Sequence, residues 1–162
     1  MKIIGIVGLK NSGKTFLAKK LISHFVKQNF KVASIKHAHH NFDIDQPGTD
    51  SYIHRESGSQ QIIISSQRRW AKISELKDKK EKTLSELIKE ISEIDIVIVE
   101  GYKNEDHNKI EIINELTPPS RYLFPKIKNI IGIVSNKEVD ASIKQFKSNQ
   151  INIIANHILQ NT

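Results

Sequence analysis

The segment GLKNSGKT, residues 8–15, constrains the fold of this chain more than any other stretch. Gly8 and Gly13 frame four residues, and Lys14 and Thr15 follow directly. This spacing is the phosphate-binding P-loop, whose backbone N–H groups surround a phosphate. The glycines permit the backbone angles and the close approach that such a loop needs. Lys14 is expected to reach the β and γ phosphates, and the Thr15 hydroxyl to take one position around Mg2+.

The residues on either side of the motif fit a strand followed by a helix. Residues 2–8 form a short apolar run of the kind found in buried strands. Leu17, Leu21 and Phe25 recur four residues apart, which predicts a helix over residues 14–28. A helix that begins at the motif aims its positive dipole end at the bound phosphate.

The rest of the chain alternates between apolar runs and amphipathic segments. This alternation predicts an α/β fold of the P-loop NTPase type, with a mainly parallel sheet, helices on both faces and a single nucleotide-binding domain over residues 1–162. Residues 68–82 are highly charged and give no clear assignment. Further strands are expected at 31–37, 61–66, 94–102, 109–113, 130–136 and 151–155. A helix is expected at 49–57, and a second one after the capping box formed by Thr83 and Glu86. A third helix is expected to begin at Asp140, with Ile143 and Phe146 on its inner side, and a fourth to end the chain.

An acidic residue ends the longest apolar run. IDIVIVEGY, residues 94–102, carries Glu100 at its carboxyl end. P-loop folds place an acid there to hold Mg2+ or to orient the attacking water. Glu100 and Lys14 are therefore the predicted catalytic residues, and Glu100 joins Thr15 as a predicted metal ligand.

The segment after the second expected strand, residues 37–51, is polar and reads as a loop. In P-loop proteins such a loop often senses the γ-phosphate or binds a second substrate. The loop carries three acidic residues, Asp43, Asp45 and Asp50. Arg55, on the short helix that follows, could pair with a phosphate or with Asp50.

Three histidines in the same loop allow a second interpretation. His37, His39 and His40 are spaced closely enough to ligate zinc or nickel. No second cluster of ligands is evident in the sequence, so contact with a phosphate or a partner is favoured over a metal site.

The distribution of charge favours a small polyanionic ligand. Residues 1–42 contain eight lysines and no acid, whereas the remaining 120 residues carry 17 basic and 18 acidic side chains. A positive field around the P-loop attracts phosphate-bearing molecules. Nucleic acid is not expected as a partner, because arginine is scarce and no helix-turn-helix or aromatic-basic RNA motif is found.

The absence of cysteine excludes disulfides and thiolate metal sites. No apolar run approaches the roughly 18 residues of a membrane span. The N-terminal run is interrupted by Gly5, Gly8 and Lys10 and has no cleavage site after it, so no signal peptide is predicted. A cytoplasmic protein without a membrane partner is expected.

Several blocks, in order, resemble the molybdopterin-guanine dinucleotide biosynthesis protein B family. They are GLKNSGKT, IKHAHHNFDIDQPGTDSYIHRESG, RRWA, VIVEGYK and KIEII, all within residues 1–113. The resemblance implies a homodimeric GTP-binding protein that uses Mg2+ and has weak intrinsic GTPase activity. It also implies an accessory role, either beside the molybdopterin guanylyltransferase that attaches GMP to molybdopterin or in delivery of the finished cofactor to molybdoenzymes.

The resemblance also assigns roles by position. It implies Mg2+ contacts by Thr15 and Glu100, with Asp43 or Asp45 as a third. It also implies that the cleft is lined by residues 37–50, His37 and Asp50 included, and by Arg55. The implied phosphate contacts are Gly8, Asn11, Ser12, Gly13, Lys14 and Thr15.

The preference for guanine has no clear motif of its own. Many GTPases read the base with Asn-Lys-x-Asp, but here Asn136 and Lys137 are followed by Asp140 one place late. Either a different acid reads the base or the match is accidental. An ATP-dependent small-molecule kinase, with residues 37–50 binding the acceptor, therefore stays open. So does a non-catalytic docking module that uses residues 68–82.

Overall fold

The computed structural model describes residues 1–38, 42–76 and 80–162. The chain divides into two compact units, which we call the sheet unit, Met1–His37 with Leu84–Thr162, and the hairpin unit, Ala38–Thr83. The elements in chain order are β1 (Lys2–Gly8), α1 (Lys14–Lys27), β2 (Val32–Lys36), α2 (Asp50–Glu56), β3 (Gln61–Ser65), β4 (Trp70–Ser74), α3 (Leu84–Ile88), β5 (Ile96–Glu100), β6 (Lys109–Ile112), a 3-10 turn (Pro119–Arg121), β7 (Ile130–Val134), β8 (Gln145–Phe146) and α4 (Ile151–Asn161).

The sheet unit is built on six strands in the order β2-β5-β1-β6-β7-β8. Each pairing between neighbours is parallel, so the carboxyl ends of the strands meet at one edge. The prediction of a mainly parallel sheet is confirmed. β1 lies between β5 and β6, and this order places the loop after β1 next to the ends of both.

Both faces of the sheet are covered, which explains why its strands are apolar without interruption. On one face, α1 and α4 pack against side chains that include Ile4 and Ile98. On the other face, Leu84 at the start of α3 packs against Val97 and Val99. The prediction of helices on both faces is confirmed.

The C-terminal third differs from the sequence prediction in two places. The expected strand at 151–155 is wrong, because α4 is one continuous helix with Ile154, Ala155 and Ile158 buried along one side. The expected helix from Asp140 is also wrong. Phe146 does reach the core, but as part of β8, which pairs with the end of β7.

The hairpin unit contains α2 and two antiparallel strands. Ile63 of β3 lies opposite Lys72 of β4, and Ser65 lies opposite Trp70. The turn is closed by the backbone N–H of Ser66, which donates to the carbonyl of Arg69 at 2.9 Å. β3 and α2 match the predicted segments, whereas β4 lies in the stretch that the sequence left unassigned. Across the residues described in both units, no helix is long and apolar enough to cross a membrane.

Candidate functional site

The P-loop lies between the end of β1 and the start of α1. Gly8 has a φ of 149°, and a Cβ at this position would lie 2.6 Å from the Ile112 carbonyl oxygen and 2.7 Å from Ser12 Oγ. Gly13 has a φ of 102° and Asn11 a φ of 61°, so the loop turns through left-handed conformations. The motif's glycines therefore meet a conformational requirement, and at Gly8 a steric one as well.

Lys14 folds back over this loop. Its Nζ donates to the carbonyl oxygens of Gly8 at 3.1 Å and Leu9 at 2.7 Å. Burial lowers the pKa of Lys14, the nearby Glu100 carboxylate opposes that shift, and Lys36 adds to it. The ammonium is thus held at the mouth of the loop by neutral acceptors that a phosphate can replace.

Thr15 and Glu100 meet directly at the carboxyl edge of the sheet. The Thr15 hydroxyl donates to Glu100, with Oγ1 lying 2.9 Å from Oε1 and 3.0 Å from Oε2. A hydroxyl and a carboxylate in contact are the oxygen ligands that Mg2+ prefers, and water and phosphate oxygens can complete its shell. The residues present therefore fit a magnesium ion. Within the described part of the chain, no group of three or more His, Asp or Glu side chains is arranged to hold a metal.

Lys36 also lies beside Glu100, and the sequence does not predict it as a site residue. Its Nζ lies 3.7 Å from Glu100 Oε1, because Lys36 and Glu100 are register partners at the ends of β2 and β5. A lysine at a strand end gives no signal in the sequence unless the pairing of the strands is known.

His37 lies beside the same strand end. Its backbone N–H donates to the Glu100 carbonyl oxygen at 2.9 Å, and its ring stacks on Tyr102 with centroids 4.6 Å apart. Gly101, with a φ of 100°, makes room for it, since a Cβ there would lie 2.6 Å from His37 Cβ. His39 and His40 lie outside the described residues, so the alternative histidine site stays a prediction.

Within the hairpin unit, Arg55 is held by two of the predicted acidic residues. Its Nε donates to Asp45 Oδ2 at 3.2 Å, and its second guanidinium nitrogen lies 3.2 Å from Asp45 Oδ1 and 3.4 Å from Asp43 Oδ1. The hydrogen bond to Asp45 raises the pKa of Arg55. Arg55 therefore pairs with Asp45 and Asp43, whereas Asp50 begins α2. The predicted metal and ligand roles of these four residues stay predictions.

A pocket of about 330 Å³ opens next to the P-loop, where β6 and β7 end. We call it the β6–β7 pocket. Ser12 forms one wall, and its buried Oγ has no hydrogen-bond partner among the described residues. Sequence reasoning missed this pocket, because most of its lining belongs to loops of no recognisable pattern. The lining residues are Ser12, Ile112, Ile113, Asn114, Glu115, Leu116, Val134, Ser135, Asn136 and Ser148.

Comparison with known proteins agrees with the resemblance that the sequence blocks indicated. The family model described as "Molybdopterin guanine dinucleotide synthesis protein B" (MobB) matches residues 3–136. The chain is 34% identical over 160 residues to a molybdopterin-guanine dinucleotide biosynthesis adapter protein of Haemophilus influenzae, covering 96% of this chain and 86% of the relative. It is 29% identical over 160 residues to the protein of that name from Escherichia coli, covering 98% of this chain and 91% of the relative.

Solved structures support the same fold. The crystal structure of Bacillus subtilis MobB superposes with a TM-score of 0.77 at 19% identity, covering 99% of this chain and 98% of the other. A MobB homologue from Bacillus stearothermophilus gives a TM-score of 0.76 at 19% identity, with 99% of both chains covered. The family match spans most of the residues that form the P-loop, Glu100 and the β6–β7 pocket. The chain therefore belongs to the molybdopterin guanine dinucleotide synthesis protein B family.

Proposed function

We propose that this protein is a GTP-binding adapter in molybdopterin guanine dinucleotide biosynthesis, and that it holds GTP with Mg2+ at the P-loop and hydrolyses it slowly. The observation that carries this proposal is the contact between Thr15 and Glu100 beside the Lys14 ammonium. Together these groups offer a cation and two oxygen ligands at the start of α1.

The P-loop residues would bind the phosphates by exchanging partners. Lys14 leaves the carbonyls of Gly8 and Leu9 and contacts phosphate oxygens, which form stronger, charge-assisted hydrogen bonds. The N-terminus of α1 and the loop N–H groups add fixed positive potential. Thr15 and Glu100 would hold Mg2+, and its charge would offset that of the phosphate oxygens.

We infer slow hydrolysis from how Glu100 is already engaged. Its carboxylate accepts the Thr15 hydrogen bond and lies 3.7 Å from the Lys36 ammonium. A carboxylate that is already hydrogen-bonded to the Thr15 hydroxyl and close to the Lys36 ammonium is a weak base for taking a proton from water. The role of Glu100 is therefore to position the metal, and fast turnover would need a group supplied by a partner.

The adapter role is supported by the relatives. The H. influenzae and E. coli proteins are both named biosynthesis adapter proteins. By this inference the chain assists a molybdopterin guanylyltransferase or passes the finished cofactor to molybdoenzymes. A homodimer joined through the hairpin unit is part of the same proposal, because Ile63 and Trp70 are 67% and 70% exposed on one face of the hairpin. Exposed apolar patches of this kind mark protein interfaces.

Calorimetric titration with GTP and with ATP, each with Mg2+, tests the nucleotide part. Wild-type protein should bind GTP more tightly than ATP. Lys14→Ala should weaken GTP binding about 10- to 100-fold through loss of charged hydrogen bonds. Lys27→Ala, which removes an exposed lysine from the far end of the same helix, is the matched control and should bind as wild type.

Two results would overturn this proposal. Equal affinity of the Lys14→Ala protein and wild type would place the nucleotide elsewhere. A preference for ATP, together with ADP formation that depends on a small-molecule acceptor, would instead favour the kinase.

A further inference from the structure

The position of the β6–β7 pocket suits the nucleoside of a nucleotide held at the P-loop. β1 has β5 on one side and β6 on the other. Thr15 and Glu100 lie on the β5 side of the P-loop, which is the side of the metal and the terminal phosphate in the proposed function. A nucleotide whose terminal phosphate lies there can extend over the β6 side, where the pocket opens beside Ser12.

Two features of the pocket indicate a bound ligand. Ser12 is 7% exposed, yet its Oγ has no hydrogen-bond partner in the part of the chain that the structure describes. Buried hydroxyls in folded proteins are nearly always paired, so a turn of this side chain towards the pocket would let the hydroxyl bond a ligand group. The pocket also contains Glu115, whose carboxylate makes neither an ion pair nor a hydrogen bond among the described residues.

The backbone that carries Glu115 is held in place. Lys137 Nζ donates to the carbonyl oxygen of Thr117 at 2.6 Å and lies 3.3 Å from that of Glu115. The Thr117 hydroxyl in turn donates to Asn114 Oδ1 at 2.7 Å. Lys137, which the sequence placed in an Asn-Lys motif, thus braces the loop after β6 from its neighbour after β7.

Asp140 is excluded from the pocket by the residue that precedes it. Val139 is 2% exposed and packs in a core cluster with Ile113 and Ile133, so the chain turns inward before Asp140. Asn136 does reach the pocket, where its Oδ1 accepts hydrogen bonds from the backbone N–H of Ser148 at 3.3 Å and from its hydroxyl at 3.0 Å. The extra residue in the motif therefore leaves Asn136 at the pocket and places Asp140 outside it.

We propose that Glu115 reads the guanine base, supplying from the loop after β6 the carboxylate that the displaced Asp140 does not. This inference rests on the proposed function, because it assumes that the phosphates are held at the P-loop. Guanine presents two adjacent donors, N1–H and the 2-amino group, and a carboxylate offers two acceptors to match them. Adenine presents an unprotonated ring nitrogen at the same place, which a carboxylate repels.

The test changes the donors and acceptors of the side chain, by Glu115→Gln, and those of the base, by replacing guanine with xanthine. Xanthine keeps N1–H but has a carbonyl in place of the 2-amino group, so it matches an amide instead of a carboxylate. Wild-type protein should bind GTP with Mg2+ more tightly than XTP or ATP. Glu115→Gln should weaken GTP binding about 10- to 100-fold and tighten XTP binding by a similar factor. Asp140→Asn is the matched control and should change neither affinity.

Inorganic tripolyphosphate with Mg2+ separates this inference from the function on which it rests. Wild type and Glu115→Gln should bind it equally, because it has no base. A wild-type protein that binds neither tripolyphosphate nor GTP would overturn the proposed function and the inference together. A wild-type protein that binds GTP while Glu115→Gln keeps the same ratio of GTP to XTP affinity would overturn the inference alone. A change in the ratio of GTP to XTP affinity in Asp140→Asn would also overturn the inference alone. A loss of tripolyphosphate binding in Glu115→Gln would do the same.

Discussion

The ring nitrogens of the partly buried His107 lie against β1 in a way that disfavours the charged form of the ring. A Cβ on Gly5 would lie 2.4 Å from His107 Nε2, so the ring lies directly on the strand backbone. Both ring nitrogens are buried without a hydrogen-bond partner in the described structure. Burial, reinforced by the Lys109 ammonium and opposed by Asp106, lowers the pKa of His107 from 6.5 to about 4.

This histidine should make stability depend on pH in a defined window. Its pKa is lower in the folded state, so its contribution is fully present above pH 6.5 and is lost as the pH falls from 6.5 towards about 4. Because the ring is only partly buried, solvent screening reduces the loss to about 1–2 kcal/mol. Urea unfolding of wild type and His107→Leu at several pH values measures it. The variant should show a shallower fall in the free energy of unfolding below pH 6.5, and equal slopes would contradict the prediction.

Local patterns predict some elements well, and the reason differs from one element to another. The P-loop places both the end of β1 and the start of α1, because phosphate binding demands glycines and a lysine at fixed spacing. β5 is recognisable because a strand covered on both faces needs an unbroken apolar run. In contrast, α4 was divided into a strand and a helix, since INIIA is rich in isoleucine and its helical spacing becomes visible only with Ile158.

The residues of the candidate site differ in the same way, since only some of them have a local sequence signal. Lys14, Thr15 and Glu100 could be identified because each follows from a motif or the end of a strand. Lys36 and Glu115 could not, because their proximity to the site depends on strand pairing and on the course of a loop. Neither is encoded in short-range periodicity.

Glu111 shows how one strand holds the loop that follows it. This carboxylate of β6 is 1% exposed and accepts hydrogen bonds from the backbone N–H groups of Leu123 at 2.8 Å and Phe124 at 2.7 Å. Burial raises the pKa of Glu111, and the two hydrogen bonds oppose that shift. The side chain thus ties residues 122–124 to the sheet.

Removing this anchor should loosen the loop before it unfolds the sheet. Glu111→Ala leaves two partly buried N–H groups unpaired, at a cost of about 2–4 kcal/mol in the free energy of unfolding. Hydrogen exchange should show that the amides of Leu123 and Phe124 lose protection first. Glu138→Ala, which truncates an exposed acid, is the control and should change neither quantity. Unchanged exchange at Leu123 in Glu111→Ala would show that the loop is held by other contacts.

At the scale of the whole molecule, exposed apolar side chains are concentrated in the hairpin unit. Those that are at least 40% exposed there include Phe42, Ile44, Ile53, Ile63, Ile64, Trp70 and Leu76, out of a unit of fewer than 50 residues. The sheet unit has a conventional covered core. That the two units act as one nucleotide-binding domain stays a prediction. Under the proposed function, this distribution would give ligand binding to the sheet unit and association to the hairpin unit.

Association through the hairpin can be tested with one charge. Ile63 lies directly opposite Lys72 and shares a face of the hairpin with Trp70, so a carboxylate at position 63 would be buried in any dimer formed through that face. Ile63→Glu should raise the dimer dissociation constant at least about tenfold, because the cost of removing a carboxylate from water can exceed its attraction to Lys72. Sedimentation equilibrium across a range of protein concentrations measures this constant directly.

The control places the same charge on the other unit. Ile153 is a 48% exposed isoleucine on α4, and Ile153→Glu should leave the dissociation constant unchanged. Both variants should keep tripolyphosphate binding, since neither touches the P-loop. A dimer that survives Ile63→Glu but dissociates in Ile153→Glu would place the interface on α4, and the exposed hairpin face would then be available to the partner enzyme instead of a second copy.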